Sequence, residues 1–450
     1  MAQAANLKWV IFLGNNWSKK ARGQALLILT DVFDNRSYSN IALKHYLNRS
    51  HLSQEDKALI TEIVYGTVAR KITLEWYLAH FIADREQLDS WLYYLLLMSL
   101  YQLLYLQKIP QYAVVNDAVT IAKDRKTGTD KLVNAVLRKF LRQKTPKISE
   151  IKRKNKRYSI AYSLPVWLVR KMIDQYGEDR ALAIFESLLE RSKASIRVVK
   201  TEDFETIKQD TKSDYSLLSP LGLVKESGHF ANSHWFQKGA ITIQDESSQL
   251  VAPTLSIQGD EKILDACSAP GGKSAHMASY LTTGQIIALD LYDHKLKLIE
   301  ENAHRLGLSD KIKTEKLDAR KVHEKFQPDT FDKILVDAPC SGLGLMRRKP
   351  DIKYNKSNQD FHSLQKLQLE ILDSVCQTIK KGGIIAYSTC TIFTDENQEV
   401  IKQFLKDHPN FIQIPLEHKQ KNIMVDGCIV ITPEQYKTDG FFISQIKRIS

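Results

Sequence analysis

Two cysteines in the C-terminal half of the chain lie in short polar motifs, each directly after a predicted strand. Cys340 belongs to Val336–Gly342 (VDAPCSG), and Cys390 belongs to Tyr387–Thr391 (YSTCT). Most cysteines are small buried hydrophobic residues. Ligands of open α/β sheets, however, bind at the carboxyl ends of the strands. Two cysteines at such positions, one of them shortly after Asp337, therefore indicate thiol chemistry.

A third motif, Lys262–Ser274 (KILDACSAPGGKS), passes from an apolar strand through a Pro-Gly-Gly turn into a predicted helix. A strand, a glycine turn and a helix N-terminus together form a nucleotide-sized pocket. A phosphate-binding P-loop would need glycine at position 267, where this chain has cysteine, and the dinucleotide fingerprint G-x-G-x-x-G is absent. The motif therefore predicts a nucleotide site that does not grip a phosphate chain.

Two aspartates follow the next predicted strands. Asp290 ends the strand Gln285–Asp290, about 20 residues after the glycine turn, where a carboxylate is placed to hold a ribose diol. Asp318 follows the strand Ile312–Leu317 and could meet an adenine amino group. Either aspartate alone could instead be a helix N-cap. Their order along the chain favours an adenosine cofactor without phosphates, such as S-adenosylmethionine.

A methyl donor beside two thiols suits methylation at carbon 5 of a pyrimidine. Carbon 5 is a poor nucleophile until a thiolate adds at carbon 6 and converts the ring into an enamine. This is covalent catalysis, which replaces one difficult step by easier ones. A carboxylate near ring nitrogen 3 would aid the addition, and a second cysteine can assist removal of the carbon 5 proton and expulsion of the thiolate. Spacing alone leaves open which cysteine attacks.

These motifs need a sheet whose strand ends meet at one edge. From residue 260 onward, predicted strands alternate with helical stretches, which is the pattern of a doubly wound, mostly parallel sheet. The preceding residues, 158–235, mix helical and strand patterns and predict a small α+β module. The predicted strands of the large sheet are Lys262–Ala266, Gln285–Asp290, Ile312–Leu317, Asp332–Asp337, Gly383–Ser388, Cys428–Ile431 and Phe441–Ile446.

The N-terminal part has apolar residues spaced three and four apart over residues 21–141, which predicts an all-helical bundle. Within it, Trp91–Gln107 contains no charged residue. Its tyrosines, its other polar side chains and its length at the lower limit for a span favour a buried bundle helix over a membrane span. Residues 1–19, which include an apolar segment at Trp9–Phe12, have no assigned role.

The charge is distributed unevenly along the 450-residue chain. Its formal net charge of +12 suggests an anionic partner. Residues 1–150 carry a net +8, and residues 151–157 add five positive charges, so the rest of the chain is close to neutral. The run Arg138–Arg157 has ten Lys/Arg against the single Glu150. It is either a solvated linker or a strip that contacts phosphates.

The five cysteines are odd in number and far apart, and no two have the C-x-x-C spacing. A disulfide framework or a zinc site is therefore not expected, and the cysteine usage suits a reducing cytosol. The first residues lack the charged region, apolar run and small-residue cleavage site of a signal peptide. The predicted location is the cytoplasm, away from membranes.

Together, the motifs resemble those of the bacterial RsmB (Sun/Fmu) family of 16S ribosomal RNA cytosine-C5 methyltransferases. The N-terminal part is similar to the family's NusB-like RNA-binding domain, and the likeness extends over nearly everything from Ala21 onward. One departure is Ser268, where the family usually has alanine. The matching segments are Ile63–Thr67, Val115–Val119, Val133–Arg138, Gln244–Ser248, Asp265–Lys273, Asp337–Gly342 and Ser388–Thr391.

The resemblance implies a role for each motif residue. Asp290 would hold the ribose of S-adenosylmethionine, Asp318 the adenine, and Asp337 would lie where cofactor and base meet. Cys390 would be the nucleophile on carbon 6, and Cys340 would help to release the methylated product. The remaining residues of the cofactor pocket would be Cys267, Ser268, Ala269, Pro270, Gly271, Gly272 and Lys273.

The resemblance also implies a multidomain fold. We expect an all-α NusB-like N-terminal bundle, a small α+β middle module and a C-terminal α/β Rossmann-like class I S-adenosylmethionine-dependent methyltransferase. The expected boundaries are 1–19 for an extension of unknown role, 20–143 for the helical RNA-binding domain, 144–235 for the basic linker and α+β module, and 236–450 for the methyltransferase domain.

The implied reaction is methyl transfer to carbon 5 of one cytosine in 16S rRNA, at the family site cytosine 967, through a covalent cysteine–carbon 6 adduct. The expected partner is unassembled 16S rRNA, and the chain is expected to be a monomer. Arg347, Arg348 and Lys349 would contact RNA phosphates or form a solvated turn. Two alternatives stay open: methylation of another RNA, such as a tRNA or another rRNA site, and a non-catalytic RNA-binding or antitermination factor.

Overall fold

The computed structural model describes residues 16–228 and 230–450. The apolar segment at Trp9–Phe12 lies outside the described residues, as does most of the predicted extension 1–19. Trp17, near the end of that extension, belongs to a short 3-10 helix that precedes the first α-helix, and its side chain is buried.

The chain forms two compact units, which we name the helical unit and the sheet unit. The helical unit comprises the chain up to Arg170 together with Lys349–Asn355, and the sheet unit comprises Lys171–Arg348 and Lys356–Ser450. A short segment from the C-terminal half therefore folds with the N-terminal helices. We call Lys349–Asn355 the inserted segment.

The helical unit contains an apolar helix that is buried along most of its length. Its helices are α1 (Ala21–Asp34), α2 (Ser39–Arg49), α3 (Gln54–Ala69), α4 (Lys71–Leu78), α5 (Ser90–Tyr105), α6 (Gln111–Arg125), α7 (Thr129–Arg142) and α8 (Lys154–Tyr162), and the division between the units falls within α9 (Val166–Tyr176). In α5, every residue of Trp91–Gln102 is buried. A helix that is apolar on all sides belongs in a core. No helix in the described part of the chain is long and apolar enough to cross a membrane.

The inserted segment is held among these helices by polar contacts. Asp351 accepts hydrogen bonds from the backbone N–H and the hydroxyl group of Ser39. Lys353 Nζ donates to the carbonyl of Ala69 at 2.8 Å, and the side chain is buried. Burial lowers the pKa of Lys353 to about 7. Among the described residues, no carboxylate forms an ion pair with this lysine.

The sheet unit begins with helix α10 (Glu178–Ser187) and a small antiparallel sheet. Its strands are β1 (Ala194–Val198), β2 (Asp214–Tyr215), β3 (Gly222–Lys225) and β4 (Ile241–Ile243), accompanied by α11 (Phe204–Thr211) and α12 (His234–Gln237). The strand order is β2-β3-β1-β4. Because β4 pairs with β1, this sheet extends past residue 235, where the sequence placed the end of the middle module.

A nine-stranded sheet with flanking helices forms the rest of the sheet unit. Its strands are β5 (Lys262–Asp265), β6 (Gln285–Asp290), β7 (Ile312–Lys316), β8 (Phe331–Asp337), β9 (Ile379–Thr389), β10 (Phe411–Ile414), β11 (Met424–Val425), β12 (Cys428–Ile431) and β13 (Phe441–Arg448). Its helices are α13 (Val251–Thr254), α14 (Gly272–Ala278), α15 (Asp293–Arg305), α16 (Val322–Lys325), α17 (Asn358–Val375) and α18 (Gln398–Asp407). The order is β11-β12-β13-β9-β8-β5-β6-β7, with β10 beside β13.

The sheet is mixed and not mostly parallel. Strands β7, β6, β5, β8 and β9 are parallel, whereas β10 to β13 pair antiparallel. The loop between β12 and β13 is shorter than the crossover of a dozen or more residues that parallel neighbours need. In the parallel half the strand order reverses between β5 and β8, which is where ligands bind. The predicted Rossmann-like fold and N-terminal helical bundle are confirmed.

Candidate active site

The glycine turn after β5 leaves open space at the start of α14. Gly271 has a φ of 93°, and a Cβ at this position would lie 3.1 Å from the Cα of Ile299. At Gly272, an added Cβ would meet no atom within 4 Å beyond its own neighbours and helix backbone. A ligand can therefore approach the backbone of this turn closely.

Asp265 is the buried acid of the turn. Its Oδ2 accepts a hydrogen bond from Ser274 Oγ at 2.6 Å, whereas its buried Oδ1 has no hydrogen-bond partner among the described residues. Burial raises the pKa of Asp265 to about 6. Ser268 Oγ donates to the Asp265 carbonyl at 2.8 Å, which closes the turn. Burial also raises the pKa of Cys267 above its ordinary value, so this thiol keeps its proton.

The two strand-end aspartates differ in what they contact. Asp290, the last residue of β6, accepts from the N–H of Tyr292 at 3.2 Å and from Lys295 Nζ at 3.4 Å. Asp318 caps a 3-10 turn by accepting from the N–H of Arg320 at 3.0 Å, and its carboxylate pairs with the Arg320 guanidinium at 2.6 Å. These contacts with Arg320 hold the pKa of Asp318 below its ordinary value. The capping role left open for Asp318 is therefore present.

This edge of the sheet fits S-adenosylmethionine. The cofactor combines a ribose diol, an adenine, a positively charged sulfonium centre and an amino group. The unpartnered Oδ1 of Asp265 can accept a hydrogen bond or face a positive charge, and the open backbone at Gly272 leaves room beside it. Asp290 lies at the end of β6, the next strand from the switch point.

Asp337, at the end of β8, is held from two sides. Lys273 Nζ pairs with its Oδ2 at 2.7 Å, and Ser388 Oγ donates to its Oδ1 at 2.8 Å. Burial alone would lower the pKa of Lys273, but the charge and the hydrogen bond of Asp337, together with nearby negative groups such as Asp265, outweigh it, and the pKa is raised. Lys273 therefore keeps its positive charge. The sequence placed Lys273 in the cofactor turn and carried no sign of this pair.

The two motif cysteines meet at the ends of β8 and β9. These strands are parallel neighbours with Asp337 opposite Ser388, so the residues that follow leave the sheet side by side. Cys340 Sγ and Cys390 Sγ lie 3.3 Å apart. The hydrogen bond to Cys390, together with burial, raises the pKa of Cys340 well above its ordinary value. All five cysteines are free thiols, and the described ranges contain no cluster of side chains suited to a metal ion.

A buried carboxylate that the sequence analysis missed lies beside the cysteine loops. Glu396 is fully buried, and its two oxygens accept from the N–H of Ser341 at 2.7 Å and from Ser341 Oγ at 2.6 Å. Burial raises the pKa of Glu396. The only available signal was an acidic pair, Asp395 and Glu396, shortly after the Cys390 motif.

Arg347 and Arg348 both join segments of the protein, and Arg347 is too deeply buried for the phosphate contact or the solvated turn that the sequence left open. Arg347 is 8% exposed and donates to three backbone carbonyls. Arg348 forms ion pairs with Asp245 at 2.7 Å and Asp439 at 3.2 Å. A guanidinium carries five donors, so it can join several chain segments at once. Lys349 is half-buried and belongs to the inserted segment.

The basic run Arg138–Arg157 covers the end of α7, a connecting stretch and the start of α8. Apart from the half-buried Arg157, its Lys/Arg side chains are exposed. Arg138 Nε donates to Asn134 Oδ1 at 2.8 Å, a contact within one helix. The exposure is compatible with both a solvated linker and a strip that contacts phosphates.

Comparison with protein families finds a match for an N-terminal and for a C-terminal region of the chain. The family described as 16S rRNA methyltransferase RsmB/F matches residues 252–447, and the NusB family matches residues 19–142. The chain is 41% identical over 440 residues to the probable ribosomal RNA small subunit methyltransferase B of Bacillus subtilis (strain 168), covering 95% of this chain and 98% of that protein. It is 32% identical over 423 residues to the ribosomal RNA small subunit methyltransferase B of Proteus mirabilis (strain HI4320), covering 89% and 92%.

Solved structures share the fold. The protein PH0851 superposes with a TM-score of 0.81 at 24% identity, covering 96% of this chain and 98% of that one. NSun6 from Pyrococcus horikoshii, solved with SFG, superposes with a TM-score of 0.57 at 20% identity, covering 64% of this chain and 98% of that one. At these identities the likeness shows the fold alone.

Proposed function

This chain belongs to the 16S rRNA methyltransferase RsmB/F family, whose methyl donor is S-adenosylmethionine, and from that premise we propose a specific reaction. The protein methylates carbon 5 of one cytosine in 16S rRNA, at the family site cytosine 967. The reaction passes through a covalent adduct between Cys390 and carbon 6 of the base. The substrate is rRNA that is not yet assembled, and the enzyme acts in the cytoplasm as a monomer.

One observation carries this proposal, the meeting of two thiols beside an acid at the switch point of the sheet. The sulfur atoms of Cys340 and Cys390 lie 3.3 Å apart. Cys340 follows β8, which is the neighbour of β5, the strand before the cofactor turn. Cys390 follows β9, which is the next strand beyond β8. An O- or N-methyltransferase needs no thiol. Carbon 5 of a pyrimidine needs one thiol to activate the ring, and release of the product can use a second.

The cofactor pocket is formed by the glycine turn together with Asp265, Asp290 and Asp318. When bound there, S-adenosylmethionine supplies an electrophilic methyl group. Asp265 faces the cofactor with its unpartnered oxygen, and Asp290 accepts hydrogen bonds from the ribose hydroxyl groups. Asp318, already held by Arg320, accepts from the adenine amino group with its remaining lone pairs.

The chain's own residues activate the base. The Cys390 thiolate adds to carbon 6, and the electron pair of the ring double bond moves to carbon 5, which becomes nucleophilic. Asp337, oriented by Lys273 and Ser388, stabilises the adduct through ring nitrogen 3. After methylation, the carbon 5 proton is removed, the double bond re-forms and the Cys390 thiolate leaves. Cys340 assists that last stage.

The assignment of the two cysteines has physical support. A thiolate is the attacking species, so a thiol with a raised pKa is a poor nucleophile. The pKa of Cys340 is well above its ordinary value because Cys340 lies against Cys390 and is buried. A thiol that holds its proton suits proton transfer during release, which agrees with the family resemblance that assigns the attack on carbon 6 to Cys390.

The reaction is tested by replacing each cysteine. Cys390→Ala is expected to abolish methyl transfer to 16S rRNA while S-adenosylmethionine still binds, measured by tritium transfer and by calorimetry. Cys340→Ala is expected to trap a covalent protein–RNA adduct that survives a denaturing gel. Cys376→Ala, a buried cysteine on the C-terminal side of α17, is the control with ordinary turnover. Full activity of Cys390→Ala would contradict the nucleophile assignment.

The target nucleotide is tested in cells. Bisulfite mapping of rRNA and tRNA from a deletion strain is expected to show the loss of one 5-methylcytosine, at the family site in 16S rRNA. Loss of a modification in another RNA would redirect the substrate. An unchanged map would instead favour a non-catalytic RNA-binding protein.

We propose that the helical unit and its basic run bind the phosphates of the RNA backbone. Lysines and arginines that neutralise phosphates release counterions, so affinity falls steeply as salt rises. Replacing Lys152, Arg153 and Lys154 by alanine is expected to weaken RNA binding and to flatten the salt dependence of the Kd. An unchanged salt dependence would support the solvated-linker interpretation.

A further inference from the structure

The loops that carry Cys340 and Cys390 are joined at the residue that follows each cysteine. Ser341 follows Cys340, and Thr391 follows Cys390. The hydroxyl oxygens of Ser341 and Thr391 lie 2.9 Å apart, and both residues are buried. Ser341 donates its own proton to Glu396 Oε2 at 2.6 Å, so the Thr391 hydroxyl is left to donate to Ser341.

Glu396 accepts further hydrogen bonds from the Cys340 loop. The backbone N–H of Ser341 donates to its Oε1 at 2.7 Å. Gln368 Nε2 donates to the same oxygen at 3.2 Å and to the carbonyl of Pro339 at 2.9 Å. The residues on both sides of Cys340 are therefore fixed to one carboxylate, either directly or through Gln368.

Glu396 is itself held against a central strand. Its backbone carbonyl accepts from the hydroxyl of Tyr387 at 2.7 Å, and Tyr387 is a fully buried residue of β9. A buried carboxylate costs free energy unless hydrogen bonds satisfy it, and an apolar residue of similar volume would cost less. Its presence here is explained by the set of hydrogen bonds that it accepts.

We propose that Glu396 is a positioning residue that keeps the two cysteine sulfur atoms adjacent and thereby permits release of the methylated RNA. The inference rests on the roles proposed above for Cys340 and Cys390. The N–H of Gly344 joins the two loops at the carbonyl of Cys390, at 2.9 Å, without Glu396. Without Glu396, however, the Ser341–Thr391 bridge has no anchor, and the stretch around Cys340 can shift relative to Cys390. A displacement of about 1 Å at a reacting group can cost about 100-fold in rate.

The effect on the two chemical stages differs. Attack on carbon 6 uses Cys390, and the carbonyl of the next residue, Thr391, is held from outside the Cys340 loop by Asn397 Nδ2 at 3.1 Å. Release also uses Cys340, whose loop depends on Glu396. Loss of Glu396 is therefore expected to slow release more than attack, and an adduct should accumulate.

The test uses the full-length protein, a 16S rRNA transcript and S-adenosylmethionine, and compares Glu396→Ala with Glu396→Gln and Cys340→Ala. In Glu396→Ala, turnover is expected to fall about 100-fold, and an adduct that survives a denaturing gel should appear as in Cys340→Ala. Glu396→Gln keeps a carbonyl oxygen for the Ser341 N–H. Its amide can donate to the Ser341 hydroxyl, which then donates to Thr391. This variant is expected to restore turnover with little adduct.

One further variant serves as a control, and a second one tests the hydroxyl bridge itself. Glu399→Ala changes an exposed acid three residues after Glu396, in α18, and should match the wild type in turnover and in the amount of adduct. Ser341→Ala removes the hydroxyl bridge with a smaller loss of buried contacts, and it should accumulate the adduct to an intermediate level. If thermal melting shows that Glu396→Ala does not fold, the outcome for Ser341→Ala decides the question.

The outcomes separate this inference from the proposed function. Wild-type turnover in Glu396→Ala overturns the inference, and so does lost turnover without adduct when Cys340→Ala traps one. Absence of adduct in Cys340→Ala overturns the release role of that cysteine and the positioning role together. Adduct in Cys340→Ala and Glu396→Ala, with rescue by Glu396→Gln, supports both.

Discussion

Each of the two units contains a lysine that is largely or fully shielded from water, Lys273 with 15% of its side chain exposed and Lys353 with 1% of the residue exposed. The two lysines have opposite electrostatic environments. In the sheet unit, Lys273 pairs with Asp337 at 2.7 Å, and the pKa of Lys273 is raised because the charge and hydrogen bond of Asp337, together with other nearby acids, outweigh burial. In the helical unit, Lys353 donates to the carbonyl of Ala69 and has no carboxylate partner among the described residues. Burial, helped by the charge of Arg70, lowers the pKa of Lys353 to about 7.

The difference follows from what each region has to do. A buried charge without a partner is costly, and the usual response is a shifted pKa and a neutral group. Lys353 follows that rule, because it serves to hold the inserted segment in place. Lys273 keeps its charge because Asp337 is beside it, and a charged pair can orient a substrate group. Lys273, in the region proposed for chemistry, retains its charge, whereas the pKa of Lys353, in the region that builds the fold, is lowered to about 7.

The largest expected effect comes from breaking the charged pair. Lys273→Met leaves the Asp337 carboxylate, whose side chain is 28% exposed, without its positive partner. Removing one partner of a buried pair is strongly destabilising, and we expect a loss of about 2–3 kcal/mol in the free energy of unfolding. Methyl transfer should fall by at least about 100-fold because Asp337 is no longer oriented. Denaturant unfolding and tritium transfer measure the two effects.

The control for this variant is Lys297→Met, which changes an exposed lysine of α15. It should leave both stability and turnover close to the wild type. If Lys273→Met were as stable and as active as Lys297→Met, the Lys273–Asp337 pair would contribute nothing to stability or turnover, and the contrast between the units would be wrong.

An effect on stability alone, with a characteristic pH dependence and no expected loss of methyl transfer, is expected at Lys353. In the unfolded chain a lysine stays protonated up to about pH 10.4, whereas folded Lys353 releases its proton near pH 7. Between these values the unfolded state binds more protons, so stability of the wild type rises with pH. Lys353→Met removes that rise. Its stability advantage over the wild type should be largest at pH 7 and below, and shrink by about 1.4 kcal/mol per pH unit above it.

Denaturant unfolding at pH 7, 8 and 9, followed by circular dichroism, measures this dependence. Lys108→Met, at an exposed position of the same unit, should show no such change with pH. A difference between Lys353→Met and the wild type that stays constant from pH 7 to 9 would mean that Lys353 is charged in the folded protein.

The smallest effect is expected at an exposed ion pair. Arg320 pairs with Asp318 at 2.6 Å, but the arginine side chain is 47% exposed. Exposed pairs are screened by water and salt, so Arg320→Ala should change the free energy of unfolding by less than about 0.5 kcal/mol. Unfolding at low and high salt measures it. A loss as large as that of Lys273→Met would show that burial does not separate the two kinds of pair.

Much of the parallel sheet was predictable because its signals are local. The strand that ends in Asp265 and the strand that ends in Asp290 each combine an apolar run with a polar end, and the structure has both within a residue of the predicted bounds. Strands β10 and β11 were not predicted. Strand β10 is short and pairs with the more distant β13, whereas β11 has only two residues, although its partner β12 follows after a two-residue turn. The pairing of β10 therefore could not be inferred.

The side-chain partners of the candidate site were less predictable than its residues. The sequence placed Arg347 in a basic turn, but in the structure it donates to carbonyls of distant segments. Likewise, Glu396 follows Asp395 in the sequence, and two neighbouring acids do not indicate burial. Glu396 is buried because residues of α17 and β9 pack around it. Charged side chains usually lie in water, and only the packing of the folded chain shows which of them are buried.

The sequence by itself determined the motifs and the type of fold, because a glycine turn, a strand end and a helical repeat are formed by residues that are neighbours in the chain. Only the tertiary structure decided which motifs meet. Cys340 and Cys390 are 50 residues apart in sequence, Lys273 and Asp337 are 64 apart, and Lys353 and Ala69 are 284 apart. Such contacts depend on strand order and on core packing, which bring together side chains that no local pattern connects.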